Sequence, residues 1–391
     1  MKQFSAQYIF TNSGKPLKRG IITTDDEGVI LDIEDTGGMT SERRAVKFYN
    51  GIIVPGFVNC HSHLELAHLK GSATKGTGLG DFIQQVRSNR ESSYESIIDA
   101  SEKADQELSK EGVVICADIC NNDSSIAVKQ KSRIKYINLL EVFGIDPAKA
   151  EKRVNEIIKV AEKFNILGLP YYIVPHAVYS TSAPLFRLIR EKTSENKVTS
   201  LHFMETEGEI DFISSHKGSI AQSYFKSGLM PENPVTVRSH EDAVLSEITP
   251  AGNLILVHNT FADRSTVDRV NSRGNTFWCL CPGSNLYIEN KLPDLNMLRE
   301  AGCEIVIGTD SLASNDKLSI LRELKILQDN FPDVSVEELI KWATINGAKA
   351  LRENQRFGSI ETGKRPGLLL LGDMDLINLR LLPGTTVSRL I

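Results

Sequence analysis

Two patterns of apolar and polar positions alternate along the chain. Short runs rich in Val, Ile and Leu are separated by amphipathic segments of helical period, which is how a parallel sheet covered by helices reads. The runs lie at 52–58, 112–117, 134–142, 171–174, 198–203, 254–257, 276–280 and 304–307. The intervening period predicts helices over 147–164, 184–191, 265–272 and 295–301, with 317–330 and 336–351 after the last run. Eight strand–helix units predict an α/β fold, a (β/α)8 TIM barrel, with its reactive groups at the C-terminal ends of the strands. A doubly wound open sheet would need a Gly-rich phosphate turn after an early strand. The run Gly76-Thr77-Gly78-Leu79-Gly80 follows none.

The ends of the chain read differently. Residues 1–50 carry short β-type runs broken by Gly, Asp and Asn, and residues 357–391 share that character. The two segments are expected to pair into one small, discontinuous β-sandwich domain, leaving 51–356 as the catalytic barrel.

Composition acts mainly by exclusion. With 391 residues the chain has room for a barrel of roughly 250 residues and an appendage. A net charge of −5, with no basic tail or cluster, argues against nucleic-acid and anionic-membrane partners and leaves a small-molecule substrate. No apolar run approaches the roughly 18 residues that span a bilayer. The start, Met1-Lys2-Gln3-Phe4-Ser5, lacks a secretory apolar stretch, so a cytoplasmic protein is expected. Cys60, Cys116, Cys120, Cys279, Cys281 and Cys303 lie in or beside apolar runs and read as small core hydrophobes in a reducing compartment.

The most informative stretch is Pro55-Gly56-Phe57-Val58-Asn59-Cys60-His61-Ser62-His63. Side chains two apart on a strand share a face, so both imidazoles can reach one metal ion. Other strand ends carry His176, His202, His258 and Asp310. His61 and His63 from strand 1, His202 from strand 5 and Asp310 from strand 8 can converge on one divalent ion. Three imidazoles and a carboxylate leave a coordination position open for water, the mark of a catalytic metal.

These residues and their order resemble the amidohydrolase superfamily, in its mononuclear cytosine-deaminase-like and chlorohydrolase-like branch. The resemblance runs through His202-Phe203-Met204-Glu205, His258-Asn259, Cys281-Pro282-Gly283-Ser284-Asn285 and Gly308-Thr309-Asp310-Ser311-Leu312-Ala313-Ser314-Asn315. It continues from Ala343 to Leu351 and from Gly358 to Lys364. It implies that His61, His63, His202 and Asp310 are metal ligands, that Glu205 shuttles protons, and that His258 supports the bound water and tetrahedral intermediate. His258 reads alternatively as a neutral donor behind the ligands. Binuclear members bridge two metals with a lysine or acid at the end of strand 4; Pro175-His176-Ala177 stands there, which implies a single metal. His176 is then free for substrate, with Glu141 and Ser311 as further candidate contacts. Zn2+ and Fe2+ both suit this donor set. The family also suggests a homodimer. Two departures stand out: Gly283 sits where many relatives carry a longer side chain, and Arg365-Pro366-Gly367 replaces Arg-Ala-Asp before the last strand.

The chemistry implied is attack of metal-activated water on an amidine-like ring carbon. Glu205 would protonate the ring nitrogen and then the departing amine, while Asp310, a ligand through one oxygen, could accept a proton on the other. The resemblance favours hydrolytic deamination of a purine-type heterocycle or nucleoside. Gly80-Asp81-Phe82-Ile83, within a 64–84 segment that reads as either a flexible cap or a plain connection, resembles the cap of aminofutalosine deaminases. An amide or halide hydrolase on the same site, and a non-catalytic scaffold that kept the barrel, are the alternatives.

Overall fold

Apolar runs that are buried on both faces become eight strands in two parallel sheets of four. The computed structural model describes residues 1–39 and 45–391; residues 40–44, inside the expected N-terminal β segment, lie outside the described residues. Phe57–Ser62, Val113–Cys120, Lys135–Val142 and Tyr171–Pro175 pair in that order to make the first sheet. Val198–Phe203, Asn253–His258, Thr276–Leu280 and Glu304–Ile307 make the second. The sheets meet at two seams, through single parallel bridges between Ala177 and His202 and between Ser62 and Asp310. This is an α/β architecture of the TIM-barrel type.

The two-residue period of the strands decides which side chains meet. Ile255, Val257, Phe277, Cys279 and Val306 pack in one buried cluster with Val58, Ile115 and Leu139. Their neighbours Leu254, Leu256, Trp278, Leu280, Ile305 and Ile307 point the other way, into a cluster shared with Val267, Val270, Leu295 and Leu298 of the flanking helices. Each such fully buried aliphatic side chain stabilises the fold by about 1.5–3 kcal/mol. Helices Tyr94–Lys110, Arg264–Asn271, Leu295–Glu300, Ile320–Asn330 and Val336–Lys341 start at Ser93, Asp263, Asp294, Ser319 and Ser335, whose side-chain oxygens accept from backbone amides of the first turn.

The terminal segments form a separate seven-stranded sheet. Its order is Thr386–Arg389, Leu368–Gly372, Val46–Pro55, Lys2–Ile9, Ile21–Thr24 and Ile30–Glu34, with Leu17–Lys18 paired to Lys2–Ile9. The apolar run 52–58 therefore divides at Gly56. Its first half pairs with Lys2–Ile9 and Leu368–Gly372, and the parallel strand begins at Phe57. The Gly56 amide donates to Pro366 and Gly367 carbonyls at 3.2 Å, which pins the break. The 64–84 segment folds as a 3-10 helix, Leu64–Leu69, a turn, and the first residues of helix Gly78–Asn89. The turn is anchored by Gly76 N to Tyr287 O at 2.7 Å and Leu79 N to Glu289 Oε1 at 2.8 Å. All six cysteines are free, five of them buried and Cys303 partly so. Among the described residues no helix is long and apolar enough to cross a membrane.

Candidate active site

The strand ends bring the predicted histidines together. His61 and His63 Nε2 atoms lie 3.0 Å apart, and Asp310 Oδ1 lies 3.6 Å and 3.4 Å from them. His61, His63 and His202 present nitrogens within 4.8 Å of one another, a possible metal site. His202 Nδ1 is 2.9 Å from the His176 carbonyl, which as an acceptor fixes the proton on Nδ1 and leaves the Nε2 lone pair for the cluster. The His258 ring stacks on His202 at 5.5 Å, and its Nε2 stands 3.6 Å from Glu205 Oε1.

Electrostatics match this geometry. Burial, with crowding by neighbouring imidazoles, holds His63, His202 and His258 well below the usual histidine range, so all three are neutral. Burial works against ionisation of Asp310, but its polar neighbours, His61 first by hydrogen bond, outweigh it and hold the carboxyl well below its usual range. Burial and the Asp310 charge push Glu205 well above the ordinary carboxyl range. His63, His202 and His258 thus stand as neutral imidazoles beside the carboxylate, and the Nε2 atoms of His61 and His63 approach to 3.0 Å. Nitrogen and oxygen donors gathered this closely suit a cation between them.

Backbone strain helps to aim these groups. Met204, His258, Asn259 and Asp310, none of them glycine, have φ of 48°, 75°, 60° and 55°, a region uncommon for residues that carry a Cβ. Beside them the chain needs Gly308, because a Cβ there would stand 2.8 Å from the Cβ of His61.

The remaining candidates lie around this centre. His176, held down to about 3 by burial and by His61 and Arg90, sets Nδ1 2.6 Å from Ser180 Oγ and faces Phe143 edge-on at 5.8 Å. Glu141 is buried, its Oε1 3.4 Å from His202 Nδ1 and its Oε2 accepting from Asn121 at 3.1 Å. Ser311 is buried and its hydroxyl pairs with Ser314 Oγ at 3.1 Å.

Sequence reasoning did not assign the residues that hold these groups. Asp310 Oδ2 accepts from Ser284 Oγ at 2.5 Å and from Ser314 Oγ at 2.8 Å, which uses both of its lone pairs. Glu323 accepts from Gly283 N at 2.6 Å and Asn315 Nδ2 at 2.9 Å, tying the two serine-bearing turns together. That pairing also explains Gly283, where a Cβ would stand 2.7 Å from Glu323 Oε1 and from Asn315 Nδ2. The serines were visible only as small polar residues just past strands 7 and 8. Nothing in the chain linked Glu323, 40 residues beyond Gly283, to them.

Comparison with known proteins places the chain in a family. A model of the amidohydrolase family matches residues 52–383. The adenosine deaminase of Helicobacter pylori is 28% identical over 374 residues, covering 89% of this chain and 87% of its own. The crystal structure of H. pylori aminofutalosine deaminase in complex with methylthio-coformycin superposes with a TM-score of 0.79 at 23% identity, over 100% of both chains. An adenosine deaminase from Xanthomonas campestris with bound zinc superposes with a TM-score of 0.68 at 21% identity, over 97% of this chain and 86% of its own. With the family model spanning most of its length, the chain belongs to the amidohydrolase family.

Proposed function

We propose that this enzyme is a hydrolytic deaminase of purine-type nucleosides, working with one divalent cation, Zn2+ or Fe2+, held by His61, His63, His202 and Asp310. The observation that carries the reading is Glu205, a buried carboxyl raised by burial and by Asp310 and set 3.6 Å from His258 beside the imidazole cluster. A carboxyl that retains its proton near neutral pH can protonate a ring nitrogen, then as carboxylate take the proton of the added water and pass it to the departing amine. When bound, the cation supplies the Lewis acidity that makes water nucleophilic at a pH of about 7.

The other roles follow from contacts. His258, kept neutral by burial, donates one hydrogen bond toward the oxygen that adds to the ring carbon. Asp310 serves through Oδ1, since a proton arriving at Oδ2 would displace Ser284 or Ser314. Proton traffic therefore falls to Glu205. His176 and Glu141 face the substrate from strands 4 and 3, and Ser311 borders it beside Asp310. The relative named adenosine deaminase supports the nucleoside class. The accompanying fold reading is a closed eight-stranded barrel that carries the site and a small β-sandwich domain built from both termini. The single bridges at each seam support closure, and one seven-stranded sheet whose strands come from 2–55 and 368–389 supports a β domain built from both ends.

The test is an ammonia-release screen of metal-replete protein over adenosine, S-adenosylhomocysteine, aminofutalosine, guanine, cytosine and triazines. An adenine nucleoside is expected to turn over, and Glu205→Gln to lower that rate by roughly 10²–10⁴-fold. Silence across the panel, with turnover of a simple amide, would overturn the reading.

A further inference from the structure

The turn that carries Glu205 is held by a buried pair that lies outside the ligand set. Glu205 follows Met204, whose φ is 48°, so this carboxyl departs from its strand in a strained direction. The Glu205 amide donates to Glu209 Oε2 at 2.9 Å. The other Glu209 oxygen, Oε1, lies 3.1 Å from His240 Nε2. Glu209 is 0% exposed and His240 5%, so neither is an incidental surface contact. His240 also stands edge-on to Phe203, two residues before Glu205, with ring centres 5.7 Å apart.

Two features separate this pair from ordinary helix capping. Thr206 already caps helix Glu207–Ser215 through its own hydroxyl, so Glu209 reaches one residue further back, to Glu205. His240 comes from a different element, the short helix His240–Asp242, 31 residues further along the chain than Glu209. A buried carboxylate on a helix's first turn is thus pinned from one side by a distant histidine and pins the Glu205 backbone from the other. Its charge also stands among those that keep Glu205 protonated, with Asp310 and Glu289.

We propose that Glu209 and His240 are positioning residues for proton transfer, a buried carboxylate–imidazole pair that fixes the Glu205 turn over the reacting centre. The inference rests on the reading of Glu205 as the proton-transferring carboxyl. A displacement of about 1 Å at a reacting group can lower turnover roughly 10²-fold. The pair acts through the Glu205 amide and not through a proposed metal ligand, so its effect is expected on kcat and not on KM or metal content.

The experiment is a double-mutant cycle in the full-length, metal-loaded enzyme, read by single-turnover ammonia release with the metal measured in each variant. Glu209→Ala is expected to lower kcat roughly 10–100-fold with KM within about threefold of the parent and full metal. Glu209→Gln, which keeps an oxygen for the Glu205 amide, returns to within a few-fold of the parent. In the Glu205→Gln background, Glu209→Ala has no further effect, because there is no proton shuttle left to place. His240→Ala, which leaves Glu209 in place, is the variant that guards against misfolding and lowers kcat in the same direction. An equal drop from Glu209→Ala in both backgrounds, unchanged kcat in Glu209→Ala or His240→Ala, or loss of metal or fold in every variant would overturn the proposal. Parental kcat in Glu205→Gln alone would instead overturn the reading on which it rests.

Discussion

The buried pair Lys129–Asp118 offers a sharp test of how the site is braced. Lys129 Nζ lies 2.6 Å from Asp118 Oδ2, with both side chains 0% exposed, and 3.0 Å from Cys120 Sγ. The rings of Tyr136 and Phe164 surround the ammonium at 5.3 Å and 5.8 Å. Burial alone would lower Lys129, but Asp118 and Cys120 outweigh it and hold the ammonium above its ordinary range. Asp118 Oδ1 accepts from the amide of Leu64 at 2.8 Å, and Leu64 directly follows His63. Replacing Lys129 by Met changes apolar packing by less than about 1.5 kcal/mol, because the stem length is kept. Leaving Asp118 buried without its cation costs about 3–5 kcal/mol, so the charge term dominates. Lys129→Met is expected to lose that amount in urea unfolding, and to weaken zinc binding roughly tenfold in competition with a chromophoric chelator. Asp118→Asn together with Lys129→Met keeps the acceptor for Leu64 and removes the stranded charge, so it recovers to within about 1 kcal/mol of the parent. A single variant within about 1 kcal/mol of the parent, or a double variant no better than the single, would refute the reasoning.

Two further outcomes are expected. Glu323, fully buried, is pushed up from 4.5 to about 7, chiefly by burial. Its folded form holds a proton that the unfolded chain has released, so stability is fully present below about 4.5 and falls as pH rises to about 7, by roughly 3 kcal/mol. A Glu323→Gln variant lacks that slope, and a parent-minus-variant curve flat across this window in urea titrations would exclude the assignment. Ser284→Ala and Ser314→Ala each remove one donor to Asp310 Oδ2, worth about 1.5–3 kcal/mol for a charged acceptor. Each should weaken metal binding roughly 10–100-fold, with a double loss smaller than the sum because both act on one oxygen. Unaltered affinity in both single variants would show that the hydroxyls do not orient the ligand.

Much of the fold was legible because fully buried parallel strands write themselves as unbroken apolar runs. The expected 276–280 and 304–307 coincide with the observed strands, and 254–257 falls within Asn253–His258. The first run misled for the same physical reason. Val46–Pro55 and Phe57–Ser62 are both buried where they touch, so apolarity carries straight across a change of sheet. What marks the change is Gly56 bonding to Pro366 and Gly367, a partner more than 300 residues away. The convergence of His61, His63, His202, His258 and Asp310 was legible because each lies at or just past the C-terminal end of a strand, and strand ends are local facts. Glu209 with His240, Lys129 with Asp118 and Glu323 with Gly283 were not. No local spacing pairs them, and only the packing of distant elements brings each pair together and removes water from it.

The seams between the two sheets explain why the site tolerates so much strain. At one seam the His61 carbonyl accepts from both Thr309 N and Asp310 N at 3.0 Å, so two proposed ligands from opposite ends of the barrel sequence share a backbone acceptor. At the other, the His176 carbonyl accepts from His202 N and from His202 Nδ1, each at 2.9 Å. Asn259 is pinned in the same manner, its amide to Phe203 O at 3.0 Å and its side chain to Leu256 and Cys279 carbonyls. A left-handed residue costs about 1–2 kcal/mol, and it persists only where several bonds over-determine it. Here the bonds that join the sheets are the same bonds that aim the side chains. Loosening a seam would therefore move a pair of proposed site groups together, His61 with Asp310 or His176 with His202. Contact between the two sheets and the geometry of the proposed cation site are one structural event.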